Sequence, residues 1–153
     1  MTEHISGGSF DVNYDGTMIH VENATVVLTD NSTAVQTRGV PNGYVKGSVS
    51  AEVEIEVDSV NFKKFGAVAR ASGSWRDIPE KDFLFYANTG EQEEKIEVFG
   101  CKPMLSDLLT VNPSEASKTT KKIKFMVTSP DFVKIDGVPY LSARDTRDLE
   151  GVA

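Results

Sequence analysis

The chain has 153 residues, 39% of them hydrophobic and 25% charged, with a formal net charge of −7. This is ordinary globular usage with enough length for one domain and a real core, which argues against wholesale disorder. The negative balance argues against an ordinary nucleic-acid binder, which must neutralise phosphates.

Read in chain order, the pattern is mostly strands. Phe10–Tyr14 and Met18–Val21 flank Asp15-Gly16, a hairpin signal because both turn residues accept positive φ. Ala24–Thr29 reads as a further strand. The polar stretch Asp30–Lys46, punctuated by Arg38-Gly39-Val40-Pro41-Asn42-Gly43, reads as a long loop or a flexible hairpin. Next comes the most informative segment, Ser48–Asp58. Val49, Ala51, Val53, Ile55 and Val57 fall on one side of an extended strand, and Ser50, Glu52, Glu54, Glu56 and Asp58 on the other. So many like charges in line repel one another, which requires that face to meet water, as plain surface or as the wall of an aqueous channel.

One helix is predicted at about 59–71. Asp58 or Ser59 can cap it, Phe62, Phe65, Val68 and Ala69 recur at spacings of three and four, and Ala71-Ser72-Gly73-Ser74 ends it. Strands resume at Asp82–Ala87, Lys95–Phe99, Lys102–Thr110, Lys121–Thr128 and Phe132–Leu141, the last holding a second turn, Asp136-Gly137. The expected architecture is mainly β, a barrel or sandwich with one flanking helix. The expected organisation is a single domain over residues 1–141 with a flexible loop at 30–46, then a charged, frayed tail over 142–153.

Charge is unevenly placed: residues 1–60 hold nine acids against Arg38 and Lys46, while residues 61–153 hold 14 of each sign. Cys101 is the only cysteine, so no intrachain disulfide is available and a reducing cytoplasm suits the chain. Met1–Gly8 lacks the basic and apolar regions of a signal peptide, and apolar runs such as Phe83–Ala87 fall far short of the ~20 residues that span a bilayer.

Catalytic chemistry is poorly supplied. His4 sits near the terminus, and His20 reads as a polar filler on a half-buried strand, with no Gly-x-Ser-x-Gly elbow to partner it. His4, His20 and Cys101 are too scattered for a zinc site. No Walker loop or dinucleotide fingerprint occurs, and Gly7-Gly8-Ser9 is too short a cluster to cradle phosphate. Glu52, Glu54 and Glu56 stand roughly 6–7 Å apart along the strand, a spacing seen in glycosidase pairs, yet no aromatic platform for a sugar accompanies them on it. Glu91-Gln92-Glu93-Glu94 reads as a charged turn without the EF-hand pattern. Lys118, Lys121, Lys122 and Lys124 form the one basic cluster. It reads as a charged rim or a contact for the acidic patch of another subunit rather than a phosphate site. Trp75 reads as a core or interface anchor. No catalytic, cofactor-binding or metal-binding residue is assigned.

Several blocks together carry a resemblance. Ser6-Gly7-Gly8-Ser9-Phe10-Asp11-Val12 with Asp15-Gly16, Gln36-Thr37-Arg38-Gly39-Val40-Pro41-Asn42-Gly43-Tyr44, Ala71-Ser72-Gly73-Ser74-Trp75-Arg76, and the run from Thr128 to Tyr140 resemble a family of small proteins of contractile-tailed phages and prophages of proteobacteria, taken as tail tube proteins. The resemblance spans residues ~5–141. It implies a β-barrel or sandwich subunit with a flanking helix that forms hexameric rings whose inner strands join into one barrel. Such rings stack into a tube through which DNA passes without specific binding. It further implies a tail sheath and other tail proteins as partners, no membrane, no cofactor, and a place in the host cytoplasm during assembly and then in the virion tail. Under it, Glu52, Glu54 and Glu56 are candidates for an acidic lumen wall and residues 30–46 for an arm that orders on the neighbouring ring. The alternatives are another tail ring (terminator, baseplate or connector) and a small ligand-binding barrel with a pocket enclosed by Phe83, Phe85 and Tyr86.

Overall fold

The computed structural model describes residues 10–109, 113–114 and 119–146. His4, the Gly7-Gly8-Ser9 cluster, Thr110, Lys118 and the tail from residue 147 lie outside the described residues. The elements run β1 (Phe10–Tyr14), β2 (Thr17–Ile19), β3 (Asn23–Asp30), β4 (Thr33–Thr37), β5 (Val40–Val45), β6 (Val49–Asp58), α1 (Ser59–Ser72), β7 (Lys81–Asn88), β8 (Glu93–Asp107), β9 (Thr120–Val127), β10 (Val133–Ile135), β11 (Val138–Pro139) and α2 (Ala143–Thr146). All but β4 and β5 of the strands belong to one antiparallel sheet of order β2-β1-β7-β8-β9-β6-β3, with β10 added to β8 and β11 to β10.

Two segments read as separate strands, Lys95–Phe99 and Lys102–Thr110, are one long strand. Its first half pairs with β7 and its second with β9. Gly100 sits at the change of partner with φ +67, and a Cβ there would stand 2.7 Å from the Ser129 side chain. Its N–H donates to Asp82 Oδ1 at 2.9 Å, and its carbonyl accepts from Thr128 Oγ1 at 2.6 Å and Thr128 N at 2.9 Å. A bend needing left-handed backbone and a close neighbour accepts little but glycine.

The two halves of the sheet then enclose a core. Val53, Ile55 and Val57 of β6 are fully buried (0% exposed), as are Val98, Cys101 and Phe125. Rings from four elements meet there: Tyr14 of β1 lies 5.0 Å from Phe65 of α1 and 4.8 Å from Phe83 of β7, and Phe83 meets Phe125 of β9 edge-on at 4.8 Å. Burial pushes the Cys101 thiol and the Tyr14 hydroxyl each up to about 12, with the Asp82 charge adding to the first and Cys101 and Asp15 to the second. Cys101 is therefore a protonated core residue and no nucleophile.

The helix forms as its sequence specifies. Asp58 caps it, accepting from the Asn61 N–H at 2.8 Å, and Gly73 closes it with φ 99 by donating to the Ala69 carbonyl. Asn61, Phe65 and Ala69 point inward, and Trp75 returns to stack on Phe62 at 5.1 Å, the anchor role read for it. Residues 30–46 contain a hairpin, β4 with β5 turning at Arg38-Gly39, in which every residue is exposed. The start of the predicted frayed tail holds α2, whose Asp145 pairs with Lys46 at 3.3 Å.

Candidate functional site

β8, β9, β6 and β3 form a four-stranded sheet whose outer face is the chain's principal charged surface. Residues directly opposite in antiparallel strands share a face, so the registers give its rows. One row is Thr25, Glu54, Lys124, Met104; the next is Val27, Glu52, Met126, Lys102; another runs Asn23, Glu56, Lys122. The Lys124 ammonium lies 3.7 Å from Glu52. Three carboxylates thus stand among three lysines on one sheet face. Asp58, the last acid of the ladder, is engaged as the helix cap.

This corrects one expectation. The wall read as purely carboxylate is charge-compensated, because Lys122 and Lys124 alternate on β9 as Glu52, Glu54 and Glu56 do on β6. Of the lysine cluster read as a charged rim or a contact for another subunit's acids, Lys122 and Lys124 stand opposite acids of their own chain, while Lys121 turns to the other face, its ammonium 5.3 Å from the Phe62 ring centre. The signal was present in the sequence: Lys122 and Lys124 bracket Ile123 and Phe125 at period two, the mirror of the β6 pattern.

The sheet has two open edges. Among the described residues β3 pairs only with β6, and beyond Cys101, opposite Lys81, β7 no longer accompanies β8. Near the start of that edge Lys102 Nζ donates to the Arg76 carbonyl at 2.7 Å. Since each neighbouring pair is antiparallel, β3 and β8 run in opposite directions at the two ends of a four-strand set.

Elsewhere an open groove of about 740 Å³ lies between the β1–β2 hairpin and β3, floored by Val12, Val26, Phe85 and Ile96. It is not the pocket expected behind Phe83, Phe85 and Tyr86: Phe83 is in the core, and Phe85 forms part of the groove floor. His20, expected half-buried on a strand, is exposed on the turn before β3, its N–H donating to Asn61 Oδ1 at 3.2 Å. Ile19, which is buried, and Val21, which is partly buried, do the packing around it. Among the described residues no group of three or more His, Cys, Asp or Glu is placed to hold a metal ion, and no helix is long and apolar enough to cross a membrane.

Comparison with known proteins agrees with this architecture. Over 149 residues, 97% of this chain and 99% of the relative, the sequence is 54% identical to the protein assigned as the tail tube protein of Haemophilus phage HP1 (strain HP1c1). The fold is that of the chain in the extended sheath-tube complex of an extracellular contractile injection system, PVC, with a TM-score of 0.67 at 14% identity, over 88% of this chain and 93% of that one. It is also similar to the tail tube of SPP1, with a TM-score of 0.57 at 12% identity, over 98% of this chain and 87% of that one. Residues 8–141 match the family described as Bacteriophage HP1, Orf24. The chain belongs to that family and is a phage tail tube protein, a structural component of the virion tail rather than an enzyme.

Proposed function

We propose that copies of this chain join head to tail through the two open edges of the β8–β9–β6–β3 sheet, β3 of one against the second half of β8 of the next. The observation that carries this reading is the pair of exposed edges running in opposite directions. An even number of alternating strands lets the joint between copies continue the antiparallel ladder without a break, and a repeated rotation closes it into a ring. Six copies is the number the family resemblance implies. Unpaired edges otherwise invite irregular aggregation, so their completion by neighbours also accounts for their exposure.

In such a ring the rows of Glu52, Glu54 and Glu56 beside Lys122 and Lys124 line the channel. Fixed charges of both signs a few ångströms apart largely cancel at the distance of a passing phosphate backbone, given a screening length of about 8–10 Å. DNA then meets no continuous cationic track on which to stick. The exposed β4–β5 hairpin projects from the end of β3 and reaches the adjoining ring, and a sheath surrounds the stacked tube. Assembly takes place in the host cytoplasm before the tube joins the virion tail.

Negative-stain electron microscopy with light scattering at rising protein concentration tests the reading. Rings lengthening into hollow tubes are expected. Rings that stop at one or two layers make the protein a cap or connector, and a strict monomer even when seeded with tail baseplates overturns the proposal.

A further inference from the structure

The second charged surface lies on α1. From Ser59 to Arg76 the chain carries Lys63, Lys64, Arg70 and Arg76 and no acid, although the whole chain has a net charge of −7. The inward side of the helix is Asn61, Phe65 and Ala69. The outward side is an exposed stripe of Val60, Lys63, Ala67 and Arg70. Lys63 and Arg70 are seven residues apart, two turns along one face, which separates their Cα atoms by about 10.5 Å.

Side-chain pairing along the helix does not account for Lys63 or Arg70. Lys63 has Ser59 and Ala67 at four-residue spacing, and Arg70 has Gly66 and Ser74, so neither has a carboxylate partner on the helix. Asp58 caps the first turn and Arg70 lies in the last, where each complements the helix dipole, so Lys63 is the cation that the helix itself does not use. Among the described residues Lys63, Arg70 and Arg76 form no salt bridge, whereas Lys64 is tied down, donating to the Met18 carbonyl at 2.9 Å. The contrast is with the outer face of the sheet, where Lys122 and Lys124 of β9 stand opposite Glu56 and Glu54.

We propose that the Lys63–Arg70 stripe of α1, with Arg76, docks an acidic surface of the protein that encloses the tube. The inference rests on the tube reading. If the Glu52–Glu56 face lines the channel, α1, packed through Phe65 on Phe125 at 6.0 Å, lies across the core from it and faces outward. The charge identifies the partner's chemistry: carboxylates set about 10 Å apart, as at i and i+7 of a helix, match the two cations, which have no ion-pair partner among the described residues. Ala67 between them leaves room for a helix or strand to lie against the stripe.

The test uses full-length protein and the sheath protein of the same phage tail. Lys63→Glu with Arg70→Glu is compared with the charge-keeping pair Lys63→Arg with Arg70→Lys. Circular dichroism and thermal melting establish that both fold, and electron microscopy that both form tubes. The expected result is that the reversed tube loses at least tenfold in sheath association in co-sedimentation, that the charge-keeping pair retains it, and that wild-type association falls as salt rises. Unchanged sheathing of the reversed tube overturns the proposal. So does loss of tubes in the reversed variant alone, which makes α1 a contact within the tube, and so does capture of duplex DNA by the wild-type stripe. Failure of the wild-type protein to form tubes counts against the tube reading itself.

Discussion

β6 and the β4–β5 hairpin adjoin in sequence, and they are held in place by different things. Val53, Ile55 and Val57 of β6 are fully buried, and the strand is paired on both sides, by β3 and β9. In the hairpin Val35, Val40, Tyr44 and Val45 are all exposed, and β4 and β5 pair only with each other. The first region is specified by burial inside one chain. The second has apolar side chains that no other described residue covers, and isolated two-stranded hairpins are marginal in water. Burial makes the subunit; the exposed apolar surface of the hairpin is what the proposed contact with the adjoining ring would cover.

The strongest way to break the comparison is in the core. Phe125 touches Tyr14, Phe65 and Phe83 and is fully buried. Phe125→Ala is expected to cost about 3–5 kcal/mol, read as a lowered urea midpoint with an unchanged slope. Tyr44→Ser in the hairpin is the counterpart. It should move the unfolding midpoint of the monomer by less than about 0.5 kcal/mol while weakening ring stacking in the microscope. A large loss of monomer stability from Tyr44→Ser would erase the distinction.

Smaller than the core change but larger than any surface charge is the bend. Gly100→Ala must hold alanine at φ +67 against Ser129, which is expected to cost about 1–3 kcal/mol in chemical denaturation. Next comes the charged sheet face. Glu54 stands opposite Lys124 with both near solvent, so Glu54→Lys should cost about 0.2–1 kcal/mol, and adding Lys124→Glu should recover only part of it, because that change also removes the Lys124–Glu52 pair. The same swap keeps the net charge of the wall, so tubes carrying it should conduct DNA as wild type does. Delivery impaired by the charge-neutral swap would mean that the order of charges, not their balance, matters.

Much of this was legible in the sequence because alternation and capping are local. The β6 pattern, the Asp58 cap, the helix and the turns at Asp15-Gly16 and Asp136-Gly137 all follow from neighbours within a few residues. What was not legible depended on pairing between distant segments. That Lys122 and Lys124 face Glu56 and Glu54 is set by the β6–β9 register, which joins residues more than 60 positions apart. Lys95–Phe99 and Lys102–Thr110 read as two strands because glycine usually punctuates; at Gly100 it bends a single strand whose partner changes. His20 was placed on a half-buried strand because its neighbours alternate, but β2 ends at Ile19 and the next residue turns outward.

The finest of the expected effects concerns how the hairpin is held at its base. Asp30 accepts from Ser32 Oγ at 2.6 Å, Ser32 N at 3.0 Å and Tyr140 Oη at 2.8 Å, while Asp145 accepts from Ser142 and pairs with Lys46. Hydrogen bonds from Ser32, then from Tyr140, hold the Asp30 carboxyl below its ordinary value, those from Ser142 do the same for Asp145, and the bond to Asp30 raises the Tyr140 hydroxyl. For the depressed carboxyls the stabilisation is complete above the ordinary aspartate value and is lost as pH falls through the folded one. For the raised phenol it is complete below about 10 and is lost as pH climbs through the folded value. Amide exchange in β4 and β5 should therefore be slowest across the neutral range and quicken at both extremes after correction for the intrinsic rate. Tyr140→Phe should remove the alkaline limb and leave the acid one, since Ser32 and Ser142 still bind the carboxylates. An alkaline limb that survives the substitution would mean that another group fastens the hairpin, and that its fixed base owes nothing to the Asp30–Tyr140 bond.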